Sequence, residues 1–320
     1  MNLALMFATP SFPRDSIEIK VPASIANLGP GFDTLAVAVQ LYLRLRVRRK
    51  PGYGRLNFLF VGQELCGENY IERAYRLLAG QDVDRLPSLF VEVHSEIPMR
   101  GGLGSSAAAT VAGIRLYEAV AGALPVQAAL DTACALETHP DNASAALLGG
   151  LTISCQRGDG SVHATSVSWP ESLGFAIVTP DIPLTTRQSR AVLPDSVPRA
   201  DAVFNLQRTA LLLQSLQSED YSLLQEALRD RMHQPYRQPI VPGLSEALAL
   251  RHKDLLGVCL SGSGPSIVAM AERNLPEIGE LLASVYKYPG IDYQLKILRA
   301  HPATGSRVSR EVVRQSAARL

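Results

Sequence analysis

The segment Pro98-Met99-Arg100-Gly101-Gly102-Leu103-Gly104-Ser105-Ser106-Ala107-Ala108 constrains this chain more than any other. Before it, Leu89 to Ile97 alternates, with Val91, Val93 and Ile97 on one side, as a strand does. After it, the Ala-rich run Ser105 to Ala121 reads as a buried helix. Glycine carries no Cβ, so a backbone built from it can approach a ligand closely. The first N–H groups of the following helix have no partner within the helix, and its dipole favours an anion there. Ser105 and Ser106 can cap that helix or offer a hydroxyl to a phosphate-bound metal. The segment reads as a phosphate-binding turn.

The common phosphate loops do not account for it. The Walker loop needs Gly-Lys before Ser or Thr, and no Gly-Lys pair occurs in the chain. Gly102-x-Gly104-x-x-Ala107 fits the permissive dinucleotide fingerprint, but the strand that should follow, closing on an acidic residue, is absent. Instead Pro125 opens a second helix that runs to about Glu137. The protein-kinase set of strand lysine, His-Arg-Asp and Asp-Phe-Gly is missing too.

Composition narrows the field. With 31 Lys+Arg against 30 Asp+Glu, a net charge of +1 excludes a broad nucleic-acid footprint. At 47% hydrophobic and 19% charged residues, the chain is neither disordered nor a coiled coil. Its 320 residues suit two domains. A boundary in the polar stretch after Arg157-Gly158-Asp159-Gly160-Ser161 gives residues 1–165 and 166–320. Cys66, Cys134, Cys155 and Cys259 show no metal-finger or redox spacing, as expected of the reducing cytoplasm. The apolar start, Met1 to Ala8, is short and lacks a preceding Lys or Arg, so it fails as a signal peptide. No run is long and apolar enough for a membrane span.

Elsewhere Ser16 to Ala23 alternates as a strand and leads into the turn Asn27-Leu28-Gly29-Pro30-Gly31-Phe32-Asp33. Leu35 to Val47 is a second strand, with Arg48-Arg49-Lys50-Pro51-Gly52 as a solvated hairpin end. Glu68 to Ala79 has helical spacing, with Ile71, Ala74, Tyr75 and Leu78 on one stripe. Strands are expected at Leu147 to Cys155, Gly174 to Val178 and Tyr293 to Arg299, and helices over Phe204 to Leu228 and Pro276 to Val285. Leu255 to Met270 reads strand, Gly/Ser turn, strand. The tail from Arg307, with Arg310, Arg314 and Arg319 against Glu311, reads as a solvated or frayed helix.

Three further constellations carry chemistry. Pro22-Ala23-Ser24-Ile25-Ala26-Asn27-Leu28-Gly29-Pro30-Gly31-Phe32-Asp33 holds an Asn and an Asp on a turn stiffened by Gly and Pro. Glu137-Thr138-His139-Pro140-Asp141-Asn142 gathers ionisable groups at a helix end, and Leu260-Ser261-Gly262-Ser263-Gly264-Pro265-Ser266 is a second backbone-rich loop. With the Pro98–Ala108 segment, these resemble the signature motifs of the GHMP kinase superfamily. The wording P-A-S-x-A-N-L-G-P-G-F-D together with H-P-D-N is most similar to the homoserine kinase family. The resemblance extends from Ile17 to about Val308.

It implies an α+β, two-domain architecture: an N-terminal domain like domain 2 of ribosomal protein S5 and a ferredoxin-like C-terminal domain. It implies transfer of the γ-phosphoryl of ATP to the side-chain hydroxyl of L-homoserine in threonine biosynthesis, with Mg²⁺ and as a homodimer. Another small-molecule GHMP kinase is the alternative. On matching positions, Pro98 to Ala108 would cradle the ATP phosphates, with Ser106 at the metal. Asn27, Asp33, His139 and Asp141 would line the amino-acid pocket. Arg190 and Arg237 would hold the substrate carboxylate, to which a forked guanidinium is suited. One or both of Asp33 and Asp141 would answer the ammonium.

For the metal carboxylate, the family's motif offset points to Asp131, while helical periodicity turns Glu137 toward the apolar stripe. The offset is taken as the guide, so Asp131 leads and Glu137 is second. The sugar and mevalonate relatives have an Asp where this chain has Asn142. The catalytic group would therefore be Asn142, Asp141 and Ser106, without a strong general base. Asn142-Ala143-Ser144-Ala145 also departs from the Val-Ala-Pro segment frequent among relatives, a difference of loop packing rather than chemistry.

Overall fold

In a computed structural model, residues 16–62, 65, 67–137, 139–287, 290–303 and 307–309 are described. The readings of the N-terminal start, of Cys66 and of the tail beyond residue 309 lie outside them.

Alternation decides the first sheet. Ile17, Ile19 and Val21 on β1 (Ile17–Ala26) and Leu43, Leu45 and Val47 on β2 (Leu35–Tyr53) point inward. Beyond them run β3 (Leu56–Val61), β4 (Pro87–Ser95), β5 (Leu151–Gln156) and β6 (Val162–Val167). The order is β11-β1-β2-β4-β3, where β11 is Arg307–Ser309, and β5 pairs with β2 and β6. Among the described residues, only the β3–β4 ladder of this sheet is parallel. Helices α1 (Tyr70–Ala79), α2 (Ser105–Ala121), α3 (Val126–Glu137) and α4 (Pro140–Leu148) pack with the sheet around a core that includes Tyr75, Val91, Val111, Ile114 and Leu130. Burying such side chains contributes roughly 1.5–3 kcal/mol each.

The second sheet comprises β7 (Gly174–Pro180), β8 (Gly257–Leu260), β9 (Ile267–Ala271) and β10 (Tyr293–Leu298), antiparallel in the order β10-β7-β9-β8. Around it lie α5 (Thr186–Ala191), α6 (Arg199–Ser218), α7 (Leu224–Ala227), α8 (Gln234–Arg237), α9 (Leu244–Ala249) and α10 (Leu275–Lys287). Val178, Leu260, Ile267 and Leu282 form its own core, whereas Phe175, Leu212, Leu224 and Met270 join the first. The two halves therefore share a packed seam. The fold is α+β with two domains.

Several local expectations need correction. Strand β2 continues through Arg48–Gly52 to Tyr53, with a register shift between Arg49 and Tyr53, because the polar cluster still pairs with β4. The segment read as one strand from Leu147 is helix α4 through Leu148, a turn at Gly149 and Gly150, and then β5. One long helix to Leu228 is instead α6 and α7, broken where Glu219 adopts φ +55°. Strand β6 occupies the expected boundary but pairs with β5 in the first sheet. Arg307–Ser309 is strand β11 beside β1 rather than frayed helix.

Candidate active site

Helix α2 begins at Ser105 on Gly104, whose φ of +69° bends the chain into the helix with no side chain capping it. Its first amide groups consequently face a cavity of about 880 Å³. A Cβ on Gly104 would stand 2.3 Å from Ser24 Oγ. At Gly102, φ +76°, it would stand 2.6 Å from the carbonyl oxygens of Ser261 and Gly264. This close approach joins the two halves: Ser261 Oγ donates to Gly102 O at 2.7 Å, and Ser266 N donates to Gly101 O at 3.2 Å. The backbone-rich loop after β8 is thus the bed on which the glycine loop lies.

Ser106 does not cap its helix. Its Oγ donates to Glu137 Oε2 at 2.6 Å, and Thr110, one turn along α2, donates to Glu137 Oε1 at 2.6 Å. Burial pushes the Glu137 carboxyl up, and these two hydrogen bonds act against that shift. Asp131 does not line the cavity; its Oδ1 accepts from Gln127, which also donates to Val162 O. Of the two carboxylates expected at the metal, Glu137, the second choice, lines the cavity, and Asp131, the first, does not. Six residues along a helix turn the side chain by about 240°, so the two carboxylates of α3 cannot share a face.

At the other end of the cavity, the turn after β1 is held by Asn27. Its Nδ2 donates to Gly262 O at 2.9 Å and its Oδ1 accepts from Asp33 N at 3.0 Å, so this residue clamps the turn as well as lining the pocket. Asp33 then presents its carboxylate to Arg190 Nη2 at 2.5 Å, with His139 Nδ1 at 4.0 Å. The ring of Phe32 lies 5.4 Å from the Arg190 guanidinium carbon and 5.5 Å from that of Arg237.

Arg237 is 1% exposed. Its Nε donates to Ser189 O at 3.2 Å, and its Nη1 donates to Gly262 O at 2.9 Å and to His233 Nδ1 at 3.0 Å. His233 Nε2 donates to Gly29 O at 2.8 Å, so Nδ1 is the acceptor and the ring is neutral, a state that its complete burial favours. Burial and the neighbouring Arg190 bring Arg237 down to about 10, still charged at neutral pH.

Asp141 and Asn142 open α4, whose first turn faces the same space. Asp141 is buried, and desolvation with the nearby Asp33 charge pushes its carboxyl up to about 6. Asn142 N donates to Asp141 Oδ1 at 2.7 Å. Ser24 Oγ donates to Asn142 Oδ1 at 2.7 Å, which leaves the amide NH₂ on the Asp141 side. His139, before Pro140, is held below its ordinary pKa by burial and by Arg190. Thr138 lies outside the described residues.

The structure thus brings Asn27, Asp33, Ser106, Glu137, His139, Asp141, Asn142, Arg190 and Arg237 to one cavity. Sequence reasoning singled out neither Thr110 nor the supports Ser24, Phe32, Ser189 and His233. Thr110 could have been found from its i+4 spacing to Ser106; the others meet their partners only through the fold.

Comparison with known proteins bears directly on this arrangement. Residues 69–150 match the family model for the GHMP kinases N-terminal domain and residues 212–280 that for the GHMP kinases C-terminal domain. The homoserine kinase of Solibacter usitatus is 41% identical over 279 residues, 85% of this chain and 90% of that one. The chain belongs to the homoserine kinase family of GHMP kinases. The homoserine kinase of Aquifex aeolicus is 37% identical, over 89% of this chain and 97% of its own. The crystal structure of homoserine kinase from Cytophaga hutchinsonii superposes with a TM-score of 0.80 at 25% identity, covering 93% of this chain and 98% of that one. The superposition therefore extends over both halves of the chain.

Proposed function

We propose that this chain transfers the γ-phosphoryl group of ATP to the side-chain hydroxyl of L-homoserine, giving O-phospho-L-homoserine and ADP. The observation that carries the proposal is one cavity with two unlike ends. One end offers the uncapped amides of α2, and the other holds Arg190 and Arg237 beside Asp33 and Asp141. The first suits a triphosphate and the second an amino-acid zwitterion. Family membership and the likeness to homoserine kinases support the same reading.

Phosphoryl transfer asks a protein mainly for positioning and charge stabilisation. Amides from Ser105 onward would hold the phosphate oxygens. Arg190 and Arg237 would fork onto the substrate carboxylate, and Asp141, ionised above pH 6, would hold the ammonium near Asp33. Asn142 would present its NH₂ rather than a base, because Ser24 occupies its carbonyl oxygen. The hydroxyl then attacks in line, without a strong proton acceptor.

The donor set fits Mg²⁺, which is commonly held by one or two carboxylates plus substrate phosphates. Among the described residues no group of three or more His, Cys, Asp or Glu could form an all-protein cage. Ser106 Oγ and the half-buried Glu137 carboxylate, already paired, are the groups that would hold it. When bound, the ion would neutralise charge on the phosphates. The family resemblance extends the proposal to a cytoplasmic homodimer. No helix among the described residues is long and apolar enough to cross a membrane. A coupled assay of ADP release, with and without L-homoserine and with a panel of other alcohols, tests the activity. Release that depends on L-homoserine supports it, and equal release with every alcohol contradicts it.

A further inference from the structure

His233 stands one helical turn before Arg237, and its carbonyl accepts from the Arg237 N–H at 3.2 Å. Both side chains are buried. The carboxylate of Asp230, also fully buried, fixes the start of α8. It accepts from the N–H groups of Met232, His233 and Gln234 at 2.8, 3.0 and 2.6 Å, and from Asn205 Nδ2 of α6 at 2.7 Å. The imidazole stacks on Phe32, with ring centroids 5.2 Å apart. What remains to be set is the place of its proton, and Gly29 sets it. The carbonyl there, 2.8 Å from Nε2, can only accept, so Nε2 carries the hydrogen. Asp230 Oδ2, at 3.6 Å, lies near the same nitrogen. Nδ1 keeps its lone pair and meets Arg237 Nη1 at 3.0 Å. A proton on Nδ1 would set donor against donor and, in the imidazolium, positive charge against positive charge.

A guanidinium has N–H groups on Nε, Nη1 and Nη2. In Arg237 those of Nε and Nη1 go to Ser189 O, Gly262 O and His233 Nδ1, and Nη2 has no hydrogen-bond partner among the described residues. Ser189 O and Gly262 O are backbone, so among the described residues His233 supplies the side-chain acceptor that holds the guanidinium plane. We propose that His233 is a positioning residue: its unprotonated Nδ1 fixes the Arg237 guanidinium so that Nη2 is left for the substrate carboxylate. This rests on the assignment of Arg237 to that carboxylate made above. Stacking on Phe32 serves the same end, because that ring also lies 5.4 and 5.5 Å from the guanidinium carbons of Arg190 and Arg237. An imidazole suits the place because it is rigid and offers an acceptor on one edge and a donor on the other. An amide side chain can supply one of the two at these positions, not both.

Two amide variants of the full chain test this. Asn places its Oδ1 where histidine has Nδ1, and Gln places its Nε2 where histidine has Nε2. H233N therefore keeps the acceptor for Arg237, and H233Q keeps the donor for Gly29. Each gives up one buried hydrogen bond, so both should melt below the parent. The KM for L-homoserine should nevertheless rise about tenfold in H233Q and stay within about threefold in H233N. In both, kcat and ATP affinity should stay within about twofold of the parent. Nitrogen NMR of the labelled ring in the parent should show a protonated Nε2 and an unprotonated Nδ1 at neutral pH. An unchanged KM in H233Q, the reverse order of the two variants, or a KM that follows melting temperature rather than the acceptor overturns the assignment. Where H233Q does not fold, a proton on Nδ1 in the parent or a KM raised about tenfold in H233N overturns it alone. If the parent shows no turnover with L-homoserine, or R237K leaves its KM unchanged, the reading beneath falls and takes His233 with it. If R237K raises that KM while H233Q matches the parent, only His233 falls.

Discussion

Ser106 Oγ and Glu137 Oε2 lie 2.6 Å apart, and this contact fixes the first turn of α2 against the last turn of α3. Two residues 31 apart in sequence thereby present a hydroxyl and a carboxylate to the same wall of the cavity. This pairing puts Glu137, and not Asp131, on the cavity wall, which supports Glu137 as the proposed metal carboxylate.

Replacing Glu137 by Gln should lower turnover about 100-fold and raise the Mg²⁺ concentration needed for half-maximal rate. Asp131→Asn should stay within about threefold of the parent, as expected for a surface carboxylate. Mg²⁺ titrations of initial rate distinguish the two; the opposite ranking would return the role to Asp131.

The fold was legible where local chemistry and tertiary packing agree. Helix α2 has the expected bounds because Gly104 and Gly122 stop an Ala-rich run at both ends. Helix α4 was not, since nine residues rich in Ala, opened by Pro-Asp-Asn and followed by glycines, carry weak periodicity, and Leu147 reads equally well as strand. Strand β6 alternates small polar residues and is recognisable only beside β5. Likewise, the motifs delivered the wall of the cavity but not its supports. Ser24 reaches Asn142 across 118 positions, and Asn27 reaches Gly262 across 235, and no local pattern encodes such meetings.

Asp141 carries a pH signature of opposite sign to that of an ordinary paired carboxylate. Its carboxyl titrates near 3.8 when unfolded and at about 6 in the fold, so between those values the native state binds the extra proton. Stability therefore falls as pH rises through this window, by up to about 3 kcal/mol. Asp141→Asn should be more stable than the parent at pH 8 and no more stable at pH 4, in denaturant titrations at each pH. For the parent, kcat/KM for L-homoserine should drop below about pH 6, as the charge facing the ammonium is lost. The Asn variant should be poorly active at every pH.

Arg237→Lys keeps the charge but loses the fork, together with the Nε contact to Ser189 O. The KM for L-homoserine should rise about 10- to 100-fold, while ATP affinity stays within about twofold. Equal weakening of both ligands, measured by steady-state kinetics and nucleotide titration, would detach Arg237 from the substrate carboxylate.

Gly102→Ala places a methyl group 2.6 Å from two backbone oxygens of the second half, at φ +76°. Neither neighbour is a flexible side-chain end, so the loop must lift from the Ser261–Ser266 bed. A loss of about 2–3 kcal/mol and a melting temperature lower by about 5 °C or more are expected, with activity reduced in parallel. Calorimetry of the variant checks the first and ADP release the second.

The central claim is that a triphosphate and an amino acid lie end to end in one cavity. A crystal structure with a non-hydrolysable ATP analogue, Mg²⁺ and L-homoserine tests it most directly. The account predicts phosphate oxygens within hydrogen-bond distance of the amides of Ser105, Ser106 and Ala107, and the homoserine carboxylate between Arg190 and Arg237. A triphosphate seated away from the start of α2, or homoserine bound outside the Asp33–Arg190–Asp141 niche, would contradict it.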